Sequence, residues 1–187
     1  MIDPRQCTLY SGGHRGTESE FGTQAEKWEI QEVNFTFEGQ QPARVKGLVV
    51  LGADELKKGD VSMEIVSLHM NRSYARADKI RKVIQTIFHM VNNGIQVLAV
   101  GWIQPDETVK GGTGWAVELA KLFNRPLSVF DQEHNRWFTW KDKSWVEDQP
   151  IVAEKTFVGT GTRNLTQEGR QAIHELFERS FSTPAKS

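Results

Sequence analysis

The 187-residue chain has one cysteine, Cys7, and no long hydrophobic run. A lone cysteine excludes an internal disulfide, and Cys7 lies in an apolar run typical of a buried strand. The longest apolar stretches, of about six to eight residues, are too short to cross a bilayer. Residues 1–6 lack the apolar core of a secretion signal. We therefore expect a cytoplasmic protein with no membrane partner.

An excess of charge is also lacking, because 23 Lys and Arg against 24 Asp and Glu give a net charge of -1. A nucleic-acid-binding domain is expected to be basic, so the composition argues against a nucleic-acid partner. A local basic pocket is still compatible with this charge. No His, Cys, Asp and Glu cluster has metal-ligand spacing, and no metal site is predicted. Mg²⁺ held through the phosphates of a ligand is the one cofactor left open.

Short apolar runs alternate with amphipathic segments along the chain. Strands are predicted at residues 7–11, 33–37, 45–51, 95–102, 126–130 and 156–159, with a hairpin arm or edge strand at 136–140. Helices are predicted at 18–30, 75–92, 115–124 and 166–181, whereas 61–70 is read as a strand or an irregular connection. This order predicts one α/β domain over residues 1–187, three-layered and Rossmann-like, with a mostly parallel sheet, helices on both faces and a frayed C-terminus.

Glycine-rich turns follow three of the predicted strands and precede helices. Glycine lets the backbone approach a ligand closely, and a helix start offers free N–H groups and the positive end of its dipole. Since the carboxyl ends of parallel strands share one edge, the turns are predicted to bind the phosphate of a nucleotide-like small molecule. The predicted binding residues are Ser11, Gly12, Gly13, His14, Arg15, Gly111, Gly112, Thr113, Gly114, Gly161, Thr162 and Arg163.

None of these turns has the spacing of a common nucleotide-binding motif. The Walker pattern Gly-x4-Gly-Lys-Ser/Thr is absent from the sequence, as is a clean Gly-x-Gly-x-x-Gly with its acidic partner. The sequence therefore disfavours an ordinary ATPase and an NAD-dependent dehydrogenase. A Gly-x-Ser-x-Gly elbow is absent too, which disfavours a serine hydrolase.

The second turn continues into a helix as Gly-Gly-Thr-Gly-Trp-Ala-Val-Glu, ending at Glu118. This segment resembles the Pro-Gly-Gly-x-Gly-Thr-x-x-Glu motif of the LOG family, within the SLOG superfamily that includes DprA/Smf-like and YpsA-like proteins. Lys110 stands where the motif has proline, and Trp115 where it has threonine. The first and third turns resemble other glycine-rich turns of the superfamily.

The resemblance implies a Rossmann-like fold that binds a nucleotide-derived ligand, and often a homodimer. LOG enzymes are phosphoribohydrolases, which cleave the base from a nucleoside 5′-monophosphate. On that reading Glu118 would stabilise charge on the ribose or position water, and Arg72, the nearest counterpart of the family's arginine, would act with it. Arg76 could reach a phosphate beside Arg72. The apolar helix at 75–92 is the candidate dimer interface.

Three functions stay open on the sequence alone. The first is binding of a nucleotide-derived ligand without chemistry, and the second is N-glycosidic hydrolysis. The third is a carrier of a phosphorylated cofactor such as molybdopterin, a function given to some relatives in the superfamily. Glu18, at the start of the first long helix, is interpreted as structural because a carboxylate there is stabilised by the helix dipole.

Overall fold

The computed structural model describes residues 2–74 and 77–181 of the chain. Within these residues, eight strands form one sheet in the order β3-β2-β1-β8-β4-β5-β6-β7. Neighbouring strands from β3 across to β5 are parallel, and the hairpin β6–β7 is antiparallel at one edge. The strands are β1 (Thr8–Ser11), β2 (Gln31–Phe37), β3 (Leu48–Leu51), β4 (Gln96–Gly101), β5 (Leu127–Asp131), β6 (Arg136–Lys141), β7 (Ser144–Glu147) and β8 (Thr156–Gly161).

Helices cover both faces of this sheet. Two of them, α1 and α6, pack together on one face, and α4 and α5 cover the other, with α2 and α3 packed outside them. The predicted class, a three-layer Rossmann-like α/β fold, is confirmed. The helices are α1 (Thr17–Lys27), α2 (Ala53–Lys57), α3 (Asp60–Met70), α4 (Asp78–Asn93), α5 (Thr113–Leu122) and α6 (Gln167–Phe181). None of these described helices is both long and apolar enough to cross a bilayer.

The central strand β4 shows why the fold is three-layered. Each of its six residues is buried. Val97 and Ala99 join the core under α4 and α5, while Leu98 and Val100 join the core under α1 and α6. A strand with apolar groups on both faces must be covered twice, which is what its nearly continuous apolar sequence predicted.

The last strand of the chain, β8, lies between β1 and β4. Leu9 of β1 pairs with Phe157, and Ala99 of β4 pairs with Thr160. The three strands that precede the glycine-rich turns are therefore adjacent, and their carboxyl ends meet at one edge of the sheet.

One sequence prediction of structure was wrong. Residues 61–70, read as a strand or an irregular connection, belong to helix α3. Met63, Val66 and Met70 are buried at helical spacing, but Val61 and Leu68 are 74% and 78% exposed. Because apolar residues occur on both sides of this helix, its 3.6-residue period is hidden in the sequence.

The apolar face of α4 is used inside the chain. Ile84, Ile87 and Met90 are buried in the core that α4 forms with the sheet, whereas Ile80 is exposed. The stripe that made this helix a candidate dimer interface is therefore explained by packing within one chain. Its predicted first residues, 75 and 76, lie outside the described residues, as does the C-terminal segment 182–187.

Candidate functional site

A cavity of about 460 Å³, called here the site cavity, opens at the carboxyl ends of β1, β8 and β4. Seven of the predicted binding residues line it, and they come from all three glycine-rich turns. The sequence therefore predicted the edge of the sheet at which the main cavity lies. These seven are His14, Gly111, Gly112, Thr113, Gly161, Thr162 and Arg163.

A second, more basic pocket adjoins the site cavity and shares His14, Val83 and Arg163 with it. Its volume is about 320 Å³. Arg15, another of the predicted binding residues, lines this second pocket together with Lys79. The second pocket has three basic side chains in its lining, from Arg15, Lys79 and Arg163.

The remaining predicted residues of the first turn lie behind the site cavity. The Ser11 hydroxyl donates to the carbonyl of Gly159 over 2.7 Å, tying β1 to β8. A Cβ on Gly12 would lie 2.8 Å from a carboxylate oxygen of Glu18. The carbonyl of Gly13 accepts the backbone N–H of Arg44. These residues shape the site from within the fold.

The first and third turns close on each other. Both the backbone N–H and the hydroxyl of Thr17 donate to the carbonyl of Thr162, over 3.1 and 2.8 Å. Gly16 has a φ of 86°, and a Cβ there would lie 2.6 Å from the carbonyl oxygen of Arg163. The third turn therefore takes up the first N–H group of α1.

The start of α5 is open instead. In the part of the chain that the structure describes, the backbone N–H groups of Gly111, Gly112 and Thr113 donate to no protein acceptor. A Cβ on Gly111 or Gly112 would meet no atom within 4 Å, so the space in front of this turn is free. Unpaired N–H groups at a helix start, with Lys110 beside them, favour an anion.

Arg72, predicted as catalytic, holds this turn from behind. Its guanidinium donates to the carbonyls of Val109 and Gly111, each over 3.1 Å, and to the Gln104 side chain over 2.9 Å. This close packing leaves no room for a side chain at Gly114, because a Cβ there would lie 2.2 Å from the Val109 carbonyl oxygen. Arg72 therefore positions the turn and is not among the described residues that line the site cavity. Arg76 lies outside the described residues.

Glu118, the other predicted catalytic residue, faces away from the site cavity. Its carboxylate lies 2.7 Å from Nζ of Lys121, which in turn sits 3.9 Å from the ring centre of Trp140 on β6. Five helical residues turn the side chain by about 140° from Thr113. Glu118 is thus buried toward the β6–β7 hairpin and is absent from the described lining of the cavity.

The carboxylate that does border the site cavity is Glu18. It accepts the backbone N–H of His14 over 3.0 Å and the Thr160 hydroxyl over 2.8 Å, and lies 2.6 Å from His14 Nδ1. Burial by itself raises the pKa of Glu18, but the hydrogen bonds and positive charge of His14, together with the Thr160 hydroxyl, outweigh it and hold the pKa below its ordinary value. Glu18 is therefore ionised at neutral pH.

Hydrogen bonds from the chain segment around Gln40 fix the ring of His14. Nε2 of His14 lies 2.7 Å from the side-chain nitrogen of Gln40, whose oxygen accepts the Thr36 hydroxyl. The ring is thus held at both nitrogens, by Glu18 at Nδ1 and by Gln40 at Nε2. Arg44 anchors the segment between β2 and β3, because its Nε donates to the buried Glu32 carboxylate over 2.6 Å.

Sequence reasoning missed several residues of the cavity wall. Trp102 directly follows the carboxyl end of β4, and Thr160 lies near the end of β8. Both positions follow from the rule that ligands bind beyond the carboxyl ends of parallel strands, once the strand ends are known. Glu18 was taken as structural because a favourable helix dipole already explained a carboxylate at that position. The α4 side chains Val83, Thr86, Ile87 and Met90 complete the wall.

Residues 2–74 and 77–181 contain no group of three or more His, Cys, Asp or Glu side chains arranged to hold a metal. Neither a family model, nor a curated protein, nor a solved structure matches the chain. The fold and the site themselves define the class: a Rossmann-like α/β protein with a cavity beyond its central parallel strands.

Proposed function

We propose that the protein binds a phosphate-bearing, nucleotide-like small molecule in the site cavity. The observation that carries this proposal is the start of α5, where Gly111, Gly112 and Thr113 line the site cavity and their N–H groups have no acceptor among the described residues. Lys110 and Arg163 add positive charge to the same cavity. A phosphate here would receive backbone hydrogen bonds and the favourable end of the helix dipole.

The rest of the cavity suits a flat, partly apolar group. Trp102 offers an aromatic face, and Val83, Ile87 and Met90 of α4 form an apolar wall. Aromatic side chains in such walls stack well on nucleobases. The volume of about 460 Å³ lies within the range of small-molecule sites. The second pocket, at Arg15 and Lys79, leaves room for further phosphates.

Binding without turnover is the function that we favour over N-glycosidic hydrolysis. The hydrolase interpretation rested on Glu118, whose carboxylate is paired with Lys121 on the other side of α5. Hydrolysis at this site would have to use Glu18. No observation favours the third alternative, a carrier of a cofactor such as molybdopterin. Mg²⁺ held by the phosphates of the ligand stays a proposal, and so does a cytoplasmic location. A homodimer is also a proposal, which sedimentation equilibrium would test.

A substitution at Gly112 tests the phosphate site directly. Gly112 has an ordinary helical φ of -62°, and a side chain there meets no atom within 4 Å, so Gly112→Asp should fold. Its carboxylate would project into the space proposed for the phosphate. Calorimetric titration with nucleoside mono-, di- and triphosphates should show binding to the wild type and affinity about tenfold or more lower in Gly112→Asp.

Gly112→Asn is the matched control, since it has the same shape without the charge. It should retain more affinity than Gly112→Asp. Equal loss in both variants would mean that bulk, not charge, blocks the site. Absence of binding by any phosphate compound to the wild type would refute the proposed function.

A further inference from the structure

A third space, called here the hairpin pocket, lies beyond the carboxyl end of β5 and has a volume of about 380 Å³. Its walls come from the loop after β4 and from the hairpin β6–β7, and its apolar groups are Ile103, Pro105, Phe138 and Trp145. No described residue lines both this pocket and the site cavity. Small-molecule sites combine such apolar walls with a few polar groups that orient the ligand.

A hydrogen-bonded pair of Asp131 and His134 forms one polar part of the hairpin pocket. Asp131 is the last residue of β5 and is buried. One of its carboxylate oxygens accepts the backbone N–H of Ile103 over 3.1 Å, and the other is hydrogen bonded to Nδ1 of His134. Nε2 of His134 has no hydrogen-bond partner among the described residues, and the side chain is 64% exposed. A ligand in the pocket can therefore reach this nitrogen.

The charges around His134 favour its protonated form. The hydrogen bond to Asp131 and the negative charge of that carboxylate raise the pKa of His134 above its ordinary value of 6.5. Glu133 acts in the same direction, whereas Arg136 opposes it. Carboxyl and guanidinium groups ordinarily titrate outside the range from pH 6 to pH 9, so His134 is the group here whose charge changes within it. At pH 6 its Nε2 is a charged hydrogen-bond donor.

Gln104 supplies a second donor to the same pocket. Its side-chain oxygen accepts from the Arg72 guanidinium over 2.9 Å. Because the oxygen is used in this way, the amide nitrogen is the branch left for a ligand, and it donates to no acceptor in the part of the chain that the structure describes. The positive charge of Arg72 polarises the amide, which strengthens its N–H groups as donors.

We infer that the hairpin pocket is a second ligand site, which binds a small carboxylate with a flat apolar body. The carboxylate accepts from Nε2 of His134 and from the amide of Gln104, and the apolar body packs against Phe138 and Trp145. Glu133 also lines the pocket, but it is exposed and solvent screens its charge. This site is separate from the site cavity and does not depend on the proposed function.

Calorimetric titration with two naphthalene compounds of similar shape tests this inference. 2-Naphthoate has the carboxylate, whereas 2-naphthylmethanol has an uncharged hydroxyl in its place. Because hydrogen bonds between charged groups are the stronger ones, the wild type should bind 2-naphthoate about 10- to 100-fold more tightly at pH 6. This preference should shrink as the pH is raised from 6 to 9, because His134 loses its proton.

Two variants remove the two donors separately. His134→Gln removes the positive charge, and Gln104→Glu replaces the amide donor by a carboxylate that can still accept from Arg72. Each should reduce the preference for 2-naphthoate about tenfold or more. His174→Gln is the matched control and should keep the wild-type preference, because His174 also lies beside a carboxylate, that of Glu178, but is not part of the described lining of the hairpin pocket.

Equal affinity of the wild type for both compounds overturns the inference, as does binding of neither at millimolar concentration. A preference that either His134→Gln or Gln104→Glu keeps also overturns it; if one of these variants does not fold, the other decides. The site cavity offers N–H donors and Trp102 as well, so the titration is repeated with Gly112→Asp. Unchanged binding of 2-naphthoate supports the hairpin pocket, whereas its loss places the compound in the site cavity and overturns the inference.

Discussion

At the scale of single residues, the site cavity is bordered by one buried carboxylate, Glu18. Its hydrogen bonds from His14 and Thr160 join the first turn to β8. These contacts stabilise the fold. The stability of the protein without ligand should therefore report on this residue.

We expect Glu18→Gln to lower the free energy of unfolding by about 1 to 2 kcal/mol at pH 7, because a charged hydrogen-bond acceptor is lost. The folded pKa of Glu18 lies below its ordinary value of 4.5. Its contribution is therefore fully present above that ordinary value and is lost as the pH falls through the folded pKa. Urea unfolding at pH 7, 5, 4 and 3 measures the difference between wild type and variant.

The difference in the free energy of unfolding between wild type and Glu18→Gln should become smaller below pH 4.5. Other carboxyl groups with lowered pKa values, such as Asp60 and Asp148, titrate equally in both proteins and cancel in the difference. A gap that is constant from pH 7 to pH 3 would contradict the assigned ionisation of Glu18.

At the scale of elements, the start of α5 is set by close packing behind it and by free space in front of it. Arg72 and the Val109 carbonyl fill the rear, where a Cβ on Gly114 would lie 2.7 Å from the guanidinium. The adjacent Gly112 has no such neighbour. Gly114 is thus required by the close packing behind the turn, whereas Gly112 leaves the space in front of the turn free.

Gly114→Ala should destabilise the protein by about 1 to 3 kcal/mol, because the added methyl group displaces Arg72 or the backbone at Val109. Gly112→Ala is the control and should change stability by less than about 0.5 kcal/mol. Thermal and urea unfolding of both variants measure this. Equal stability of the two would show that the turn relaxes and that Arg72 does not fix it.

Element prediction succeeded where the apolar period was clear and failed where it was not. Strand β4 and helix α4 have unmistakable patterns, and both lie where predicted to within a few residues. Helix α3 was missed because exposed Val61 and Leu68 obscure its buried stripe. That helix packs on α4 and α5, so its identity depended on neighbours that a local pattern does not contain.

At the scale of the whole molecule, the site exists because distant segments meet. Residues near 14, 112 and 162 come together only because β8 inserts between β1 and β4. A ligand in this cavity would therefore contact several elements, and its binding should stabilise the protein as a unit.

A nucleotide at a free concentration of about 100 times its Kd should add about 2.7 kcal/mol to the free energy of unfolding. For a chain of this size that corresponds to a rise in Tm of about 5 to 11 °C. A thermal-shift screen against nucleoside phosphates measures it, with Gly112→Asp as the variant that should lose the shift. An equal shift in that variant would place the ligand elsewhere.

The sequence alone determined the α/β class and the edge of the sheet that holds the cavity. Those conclusions depend on local signals: apolar periodicity, and glycines at strand ends such as Gly12 and Gly111. The resemblance of the second turn to a known motif also singled out Glu118.

Only the tertiary structure decided which polar groups face the cavity. Helix rotation turns Glu118 toward Lys121, and the third turn closes on Thr17 at the start of α1. The same closure brings Thr160 to Glu18 and makes that carboxylate part of the cavity wall. A linear pattern gives the spacing of residues along one element, but the direction of a side chain between elements depends on contacts between residues far apart in the chain.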